Sequence, residues 1–335
     1  MDVFALTRAF IDIESVTGNE LAIGQYFHDY LKPLADKHGG QAERIEVEKD
    51  RYNVYAHWGR PEIVFSTHLD TVPPFIPSKE DSEFVWGRGA CDTKGISASM
   101  IKASEALLEE GVRDFAMLFV VGEEVDGIGA HFANAHSPGP KYLINGEPTE
   151  NKLALGSKGN LRIEIEANGK MAHSAYAELG DSAINKLLDN LERLRNLELP
   201  VDPVLGDSTC SIGLISGGRA ANVIPDHASA TAVVRVVSDM DEAIEQIDAV
   251  FDDRVTVSYP VRTPAIRMKS VSGFETTVVK YTTDIPKLTN WGQPLLLGPG
   301  TIHVAHTAEE RVPKKQLVEA VELFRNLVKQ LKTTN

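Results

Sequence analysis

Residues 86–95 read WGRGACDTKG, and the reading of that stretch decides the rest. It follows an apolar run closing on Ser66, Thr67, His68, Leu69 and Asp70. It precedes residues 96–110, where Ile96, Met100, Ala103 and Leu107 recur at helical spacing and Gly111 stands where a C-terminal cap belongs. Asp92 therefore lies between a strand and a helix. Paired acids, Glu123 and Glu124, come next, then Glu147 in NGEPT, and finally His303 and His306. His, Asp and Glu suit a zinc-type divalent site without thiolates. One aspartate has two oxygens, enough to bridge two ions.

Outward from that stretch, residues 2–12 and 20–35 have helical spacing, with Leu21, Ile23, Tyr26, Phe27 and Leu31 on one face. Residues 15–19 supply the break and the cap between them. Strands are expected at 45–48, 53–58, 62–67, 115–121 and 141–144, the later ones almost continuously apolar, as in a sheet buried on both faces. Strands alternating with helices predict an α/β domain with a mostly parallel sheet. His68, Glu123, Glu124 and Glu147 all fall just beyond strand ends, where ligands of open α/β sheets collect.

The pattern changes near residue 155. Residues 160–167 alternate, 182–197 are amphipathic, 210–215 and 228–237 are strand-like, 240–251 helical and 254–259 a last strand. That order is βαββαβ, a ferredoxin-like sandwich. Residues 276 onward resume the α/β pattern of residues 1–155, closing on a helix at 314–331. The expectation is a catalytic domain of 1–155 and 262–335 interrupted by an inserted lid or dimerisation domain of 156–261.

The 335 residues are 42% hydrophobic and 24% charged, ordinary for a globular chain, and carry a net charge of −14. That balance argues against nucleic acid and anionic membrane surfaces as partners. Residues 1–15 lack a basic segment followed by an apolar core, so no secretory signal is expected. No apolar run reaches the ~20 residues of a membrane helix. The two cysteines, Cys91 and Cys210, form no CxxC, and a reduced cytoplasmic protein is the expectation.

His68 and Asp70 stand two apart, as a ligand and the carboxylate that fixes its tautomer would. Adjacent acids such as Glu123 and Glu124 can divide the work of base and ligand. Taken together, FSTHLDTVPP, WGRGACDTKG, VVGEEVDGIGA, INGEPT, GKMAHSAYAELG, ISGGRAANVIPD and GPGTIHVAHTAEERV resemble, in order and spacing, the zinc aminoacylase/carboxypeptidase family. That family includes acetylornithine and acetyl-lysine deacetylases, succinyl-diaminopimelate desuccinylase and glutamate carboxypeptidase. The resemblance implies two zinc ions, with cobalt or manganese as substitutes. His68 and Glu147 would hold one ion, Glu124 and a C-terminal histidine the other, and Asp92 would bridge them. The segment from His306 to Val312 fits the family's last ligand better than His303 does. Glu123 would be the general base and Asp70 would steer His68. His173 would reach the reacting carbonyl from the lid, with Asn222, Arg235 and Gly300 as substrate contacts. The implied substrate is an N-acyl-L-amino acid such as N-acetyl-L-ornithine or N-acetyl-L-lysine, and the implied assembly is a homodimer through the inserted domain. N-succinyl-diaminopimelate, or a dipeptide or aminopeptidase substrate, is the alternative.

Overall fold

The computed structural model describes residues 1–333. Its backbone forms two compact units. The first begins with helix α1 (Val3–Ile11), whose Asp2 carboxylate accepts from the Ala5 N–H at 2.8 Å as an N-cap. Helix α2 (Leu21–Lys37) starts without the cap expected of residues 15–19. Those residues are spent elsewhere: the Ser15 hydroxyl donates to Leu69 O and Thr17 donates to Asp70. Glu20, at the cap position, turns its side chain to Arg51 instead. Strands β1 (Gln41–Glu48), β2 (Arg51–Trp58) and β3 (Ile63–His68) follow, the last buried along its whole length.

Helix α3 (Gly95–Glu109) ends in a Schellman turn, with Gly111 at φ 81° and Val112 donating to Leu107 O at 2.9 Å. Strand β4 (Phe115–Val120) is fully buried. Helix α4 (Ile128–Ala135), which has no clear apolar stripe, was not expected from the sequence; strand β5 (Tyr142–Asn145) comes after it.

The second unit spans Gly156–Arg267 and Val278–Thr282. Strand β6 (Asn160–Asn168), helix α5 (Ala183–Arg195), strands β7 (Thr209–Gly217) and β8 (His227–Arg235), helix α6 (Met240–Asp248) and strand β9 (Val255–Thr263) run in βαββαβ order. All neighbours in its sheet, ordered β7-β8-β6-β9, are antiparallel. Ile163, Ile165, Leu187, Leu191 and Ala232 sit in its separate core. This is the ferredoxin-like arrangement.

Back in the first unit, strand β10 (Gln293–Leu296) and helix α7 (Lys314–Thr333) complete the fold. Its sheet runs β1-β2-β4-β3-β5-β10. The pairs β4–β3, β3–β5 and β5–β10 are parallel, while β1–β2 and β2–β4 are antiparallel. The four parallel strands thus deliver the loops after them to one sheet end. Phe65 anchors the core beneath, with ring centroids 6.4 Å from Phe115 and 5.5 Å from Phe324 of α7. Truncating a buried phenylalanine costs about 3–5 kcal/mol. Phe65→Ala should therefore destabilise the first unit by that amount in guanidinium unfolding followed by tryptophan fluorescence. A loss below about 1 kcal/mol would show that the contact carries little.

Candidate metal centre

Four loops at the carboxyl ends of the parallel strands, together with the turn opening α3, bring the acids and imidazoles together. β3 ends on His68, which is 2% exposed. β4 is followed by Gly122, Glu123 and Glu124, β5 by Gly146 and Glu147, and β10 by the loop that carries His306. Asp92 is no helix cap: α3 has Lys94 at that position, and Asp92 lies in the turn Ala90–Lys94. The Thr93 hydroxyl ties this turn to β3 by donating to His68 O at 3.1 Å. Thr67 Oγ1 lies 2.8 Å from Thr93 Oγ1 and 2.9 Å from Gly146 O.

The two oxygens of Asp92 face two different imidazoles. Oδ1 is 3.0 Å from His68 Nε2, and Oδ2 is 3.2 Å from His306 Nε2. On the first side Glu147 Oε1 lies 3.9 Å from His68 Nε2; on the second, Glu124 Oε2 lies 3.0 Å from His306 Nε2. Single ligand atoms of His68, Asp92 and Glu124 come within 4.8 Å of one another. His303 is exposed, its backbone N–H 3.5 Å from the Thr301 hydroxyl. Of the two C-terminal histidines, the structure brings His306 to Asp92.

Asp70 lies behind His68. Its backbone oxygen is 3.0 Å and its Oδ1 3.5 Å from His68 Nδ1. The same carboxylate accepts from the Glu123 N–H at 3.0 Å, the Glu124 N–H at 3.2 Å and the Thr17 hydroxyl at 2.7 Å. One buried residue therefore orients an imidazole, chiefly through its backbone carbonyl, and fixes the backbone of both neighbouring acids through its carboxylate.

The electrostatics show a cluster short of positive charge. Burial raises the Glu123 carboxyl well above its ordinary range, and the neighbouring Asp284 adds to it. Burial, then Asp92, does the same to Glu147. Hydrogen bonds to Asp92 and Glu124 raise His306 to about 10. For Asp92 burial acts upward, but the hydrogen bonds from His306 and His68 outweigh it and leave the carboxyl lowered. Each shift is the cluster holding protons or imidazolium charge to offset its carboxylates. Divalent cations would do so without protons. An all nitrogen-and-oxygen donor set, split by the two faces of one carboxylate, fits a pair of them.

Three residues near the centre carry no role in the sequence reading. Asp284, 1% exposed, has an Oδ1 without a hydrogen-bond partner and a carboxyl raised by burial to about 6. Arg88 and Glu310 form a buried ion pair beside Asp92. They lie inside WGRGACDTKG and GPGTIHVAHTAEERV, whereas TTDIP around Asp284 carries no signal of its own. Gly300, expected to touch substrate, has a packing reason for being glycine: a Cβ there would stand 2.5 Å from Cys91 Cβ. Its N–H donates to Gln316 at 2.7 Å and its carbonyl accepts from Glu150 at 2.8 Å. Both backbone groups are thus used within the unit. His173, Asn222 and Arg235 belong to the second unit. There Ser174 N–H donates to Asn222 O at 3.0 Å, and His173 Nδ1 accepts from Ala175 N–H at 3.1 Å.

Against known proteins, residues 64–330 match the family described as Peptidase family M20/M25/M40. A protein of Paracoccidioides brasiliensis named "Probable carboxypeptidase" is 37% identical over 373 aligned positions, covering 97% of this chain and 84% of that one. Aminopeptidase PepT of Bacillus cereus shares the fold with a TM-score of 0.81 at 18% identity, over 98% of each chain. The YXEP protein of Bacillus subtilis, described as a dinuclear metal binding peptidase, superposes with a TM-score of 0.70 at 15% identity, over 98% of each chain.

The geometry predicts separable effects at the centre. His306→Ala should leave one bound ion per chain and His303→Ala two, counted by native mass spectrometry after zinc loading; the reverse would move the ligand to His303. Glu123→Gln should keep both ions yet lose at least ~100-fold in kcat, the low end for removal of a general base. Turnover near wild type would remove that role from Glu123.

Proposed function

The chain belongs to peptidase family M20/M25/M40 and is a metal-dependent hydrolase of linear amides; on that premise we propose that its leaving group is an α-amino acid with a free carboxylate. The observation that carries the reading is Asp92, whose two oxygens face His68 and His306 with Glu123 beside them in the loop after β4. Glu147 supports it from the resemblance: deacylases and carboxypeptidases tend to have Glu at this position, aminopeptidases and dipeptidases Asp.

Two divalent ions, zinc in this reading, would be held by His68 and Glu147 and by Glu124 and His306 with Asp92 between, and when bound they supply an acidified water and charge for the oxyanion. Glu123 then takes the proton of the attacking water and returns it to the departing amine. Asp70 keeps Nδ1 of His68 as donor, so that Nε2 faces the centre. From the resemblance, His173 is assigned to the oxyanion, and Asn222 and Arg235 to the substrate carboxylate. Burial lowers the Arg235 guanidinium and leaves it half-buried in its unit, a setting that favours an anionic partner.

The acyl half is proposed to be acetyl, on N-acetyl-L-ornithine or N-acetyl-L-lysine, and the −14 net charge suits a cationic side chain. A second reading is carboxypeptidase activity, favoured by the 37% identical relative of that name. Both cleave R–CO–NH–CHR′–COO⁻ and differ only in R. Exposed Leu214 and Ile215 on the edge strand β7 support a homodimer through the second unit. Two free cysteines support a reducing, cytoplasmic setting. No helix among the described residues is long and apolar enough to cross a membrane.

The test is kcat/KM on zinc-loaded enzyme over N-acetyl amino acids, N-succinyl-diaminopimelate, N-blocked dipeptides with free carboxylates, and aminoacyl anilides. N-acetyl-L-ornithine or N-acetyl-L-lysine should lead. Leadership by blocked dipeptides would replace deacetylation with carboxypeptidase action. Leadership by anilides, whose leaving amine has no carboxylate, would sink the whole reading. His173→Ala should lower kcat and leave metal content unchanged; unchanged kcat would detach that histidine from the reaction.

A further inference from the structure

Asp92 and His306 reach the centre from segments remote in sequence, and one buried ion pair spans the two segments. Arg88 and Glu310 are each 2% exposed, with Arg88 Nη1 2.5 Å from Glu310 Oε2. Desolvating two charges costs about as much as their attraction returns, so such a pair is weak evidence of a stability role. Its other contacts cluster on the segments that carry the metal ligands. Glu310 Oε1 accepts from the Asp92 N–H at 3.3 Å and the Cys91 N–H at 3.4 Å. Glu310 O accepts from the Gly87 N–H at 3.1 Å. Arg88 donates to Thr307 O at 3.2 Å, the residue after His306, and to Pro74 O at 3.3 Å. His306 itself holds φ at 64°. A non-glycine residue persists in that region when its surroundings over-determine it.

We infer that Arg88 and Glu310 are positioning residues that set Asp92 against His306, and so govern how tightly the ion between His306, Glu124 and Asp92 is held. The ion between His68, Glu147 and Asp92 shares only Asp92 with this clamp, so it depends on the clamp less. Glu310 grips the backbone of the bridging ligand, and Arg88 grips the loop of His306. The two side chains act through these ligands and not on substrate. The inference rests on the two-ion reading of the centre.

Glu310→Gln keeps the shape but removes the charge. Arg88→Lys keeps the charge but cannot span Glu310, Thr307 O and Pro74 O together. Wild type and both variants, stripped by chelation, would be titrated with zinc and followed by calorimetry. Ions per chain would be counted by native mass spectrometry, and folding checked by circular dichroism melts of the same samples. Wild type should bind two ions; one or none would refute the two-ion reading itself. With two bound by wild type, each variant should melt cooperatively, bind its first ion within ~3-fold of wild type and bind the second at least ~10-fold more weakly. A lowered melting temperature with the second ion as tight as in wild type would mark a merely structural pair and overturn the inference. Equal weakening of both ions, or failure of both variants to fold, would overturn it as well.

Discussion

Two imidazoles share one buried carboxylate, and that constraint organises the first unit. Asp92 is 6% exposed, with His68 and His306 on its separate oxygens. Glu123, Glu124, Glu147 and Asp284 crowd the same region, and burial pushes Glu123, Glu147 and Asp284 upward. So many carboxylates stay together in a low-dielectric place only if retained protons or positive charge offset them. The fold meets half of the requirement by steering ligands from the ends of parallel strands, where the loops converge and the strands do not obstruct them. Bound cations would complete it without protons.

The strand-end address was legible in the sequence because buried parallel strands are continuous apolar runs, and β3 and β4 are two of them. An acid or histidine just past such a run is out of place in a core and conspicuous for that reason. The second unit was legible through alternation in β6 and the amphipathic stripe of α5. Helix α4 was not, since Ile128–Ala135 is short and rich in small residues. The Ser15–Asn19 segment misled through chemistry that serves two purposes. Ser and Thr cap helices, but here Ser15 and Thr17 bind Leu69 O and Asp70. Arg88 and Glu310 were hidden because pairing across a long sequence separation leaves no local pattern, and Asp284 because TTDIP carries no signal of its own.

The ion pairs around the centre share a layout. The loops that carry His306, Glu124 and the candidate base are each backed by a cation. Arg51 forms a bidentate pair with buried Glu20 at 2.9 and 2.7 Å, and a Cβ at Gly122 would lie 2.8 Å from its Nη2. Lys287, 3.7 Å from Asp284, occupies the space a Cβ at Gly127 would need. Arg88 holds the carbonyl of Thr307. Gly122 and Gly127 bracket Glu123 and Glu124 at φ 78° and 64°, so glycine there answers both to backbone conformation and to the cation pressed against it. Arg51 and Lys287 thus pack closely against the two ends of the base loop, while Asp70 accepts hydrogen bonds from its Glu123 and Glu124 N–H groups. Ligands on loops lose precision unless the loops are fixed by groups that do not themselves take part in the chemistry. In this chain three of those groups are cations, each with a carboxylate partner of its own. Their charge is then partly spent before it reaches the ligands, leaving the centre itself still in need of metal.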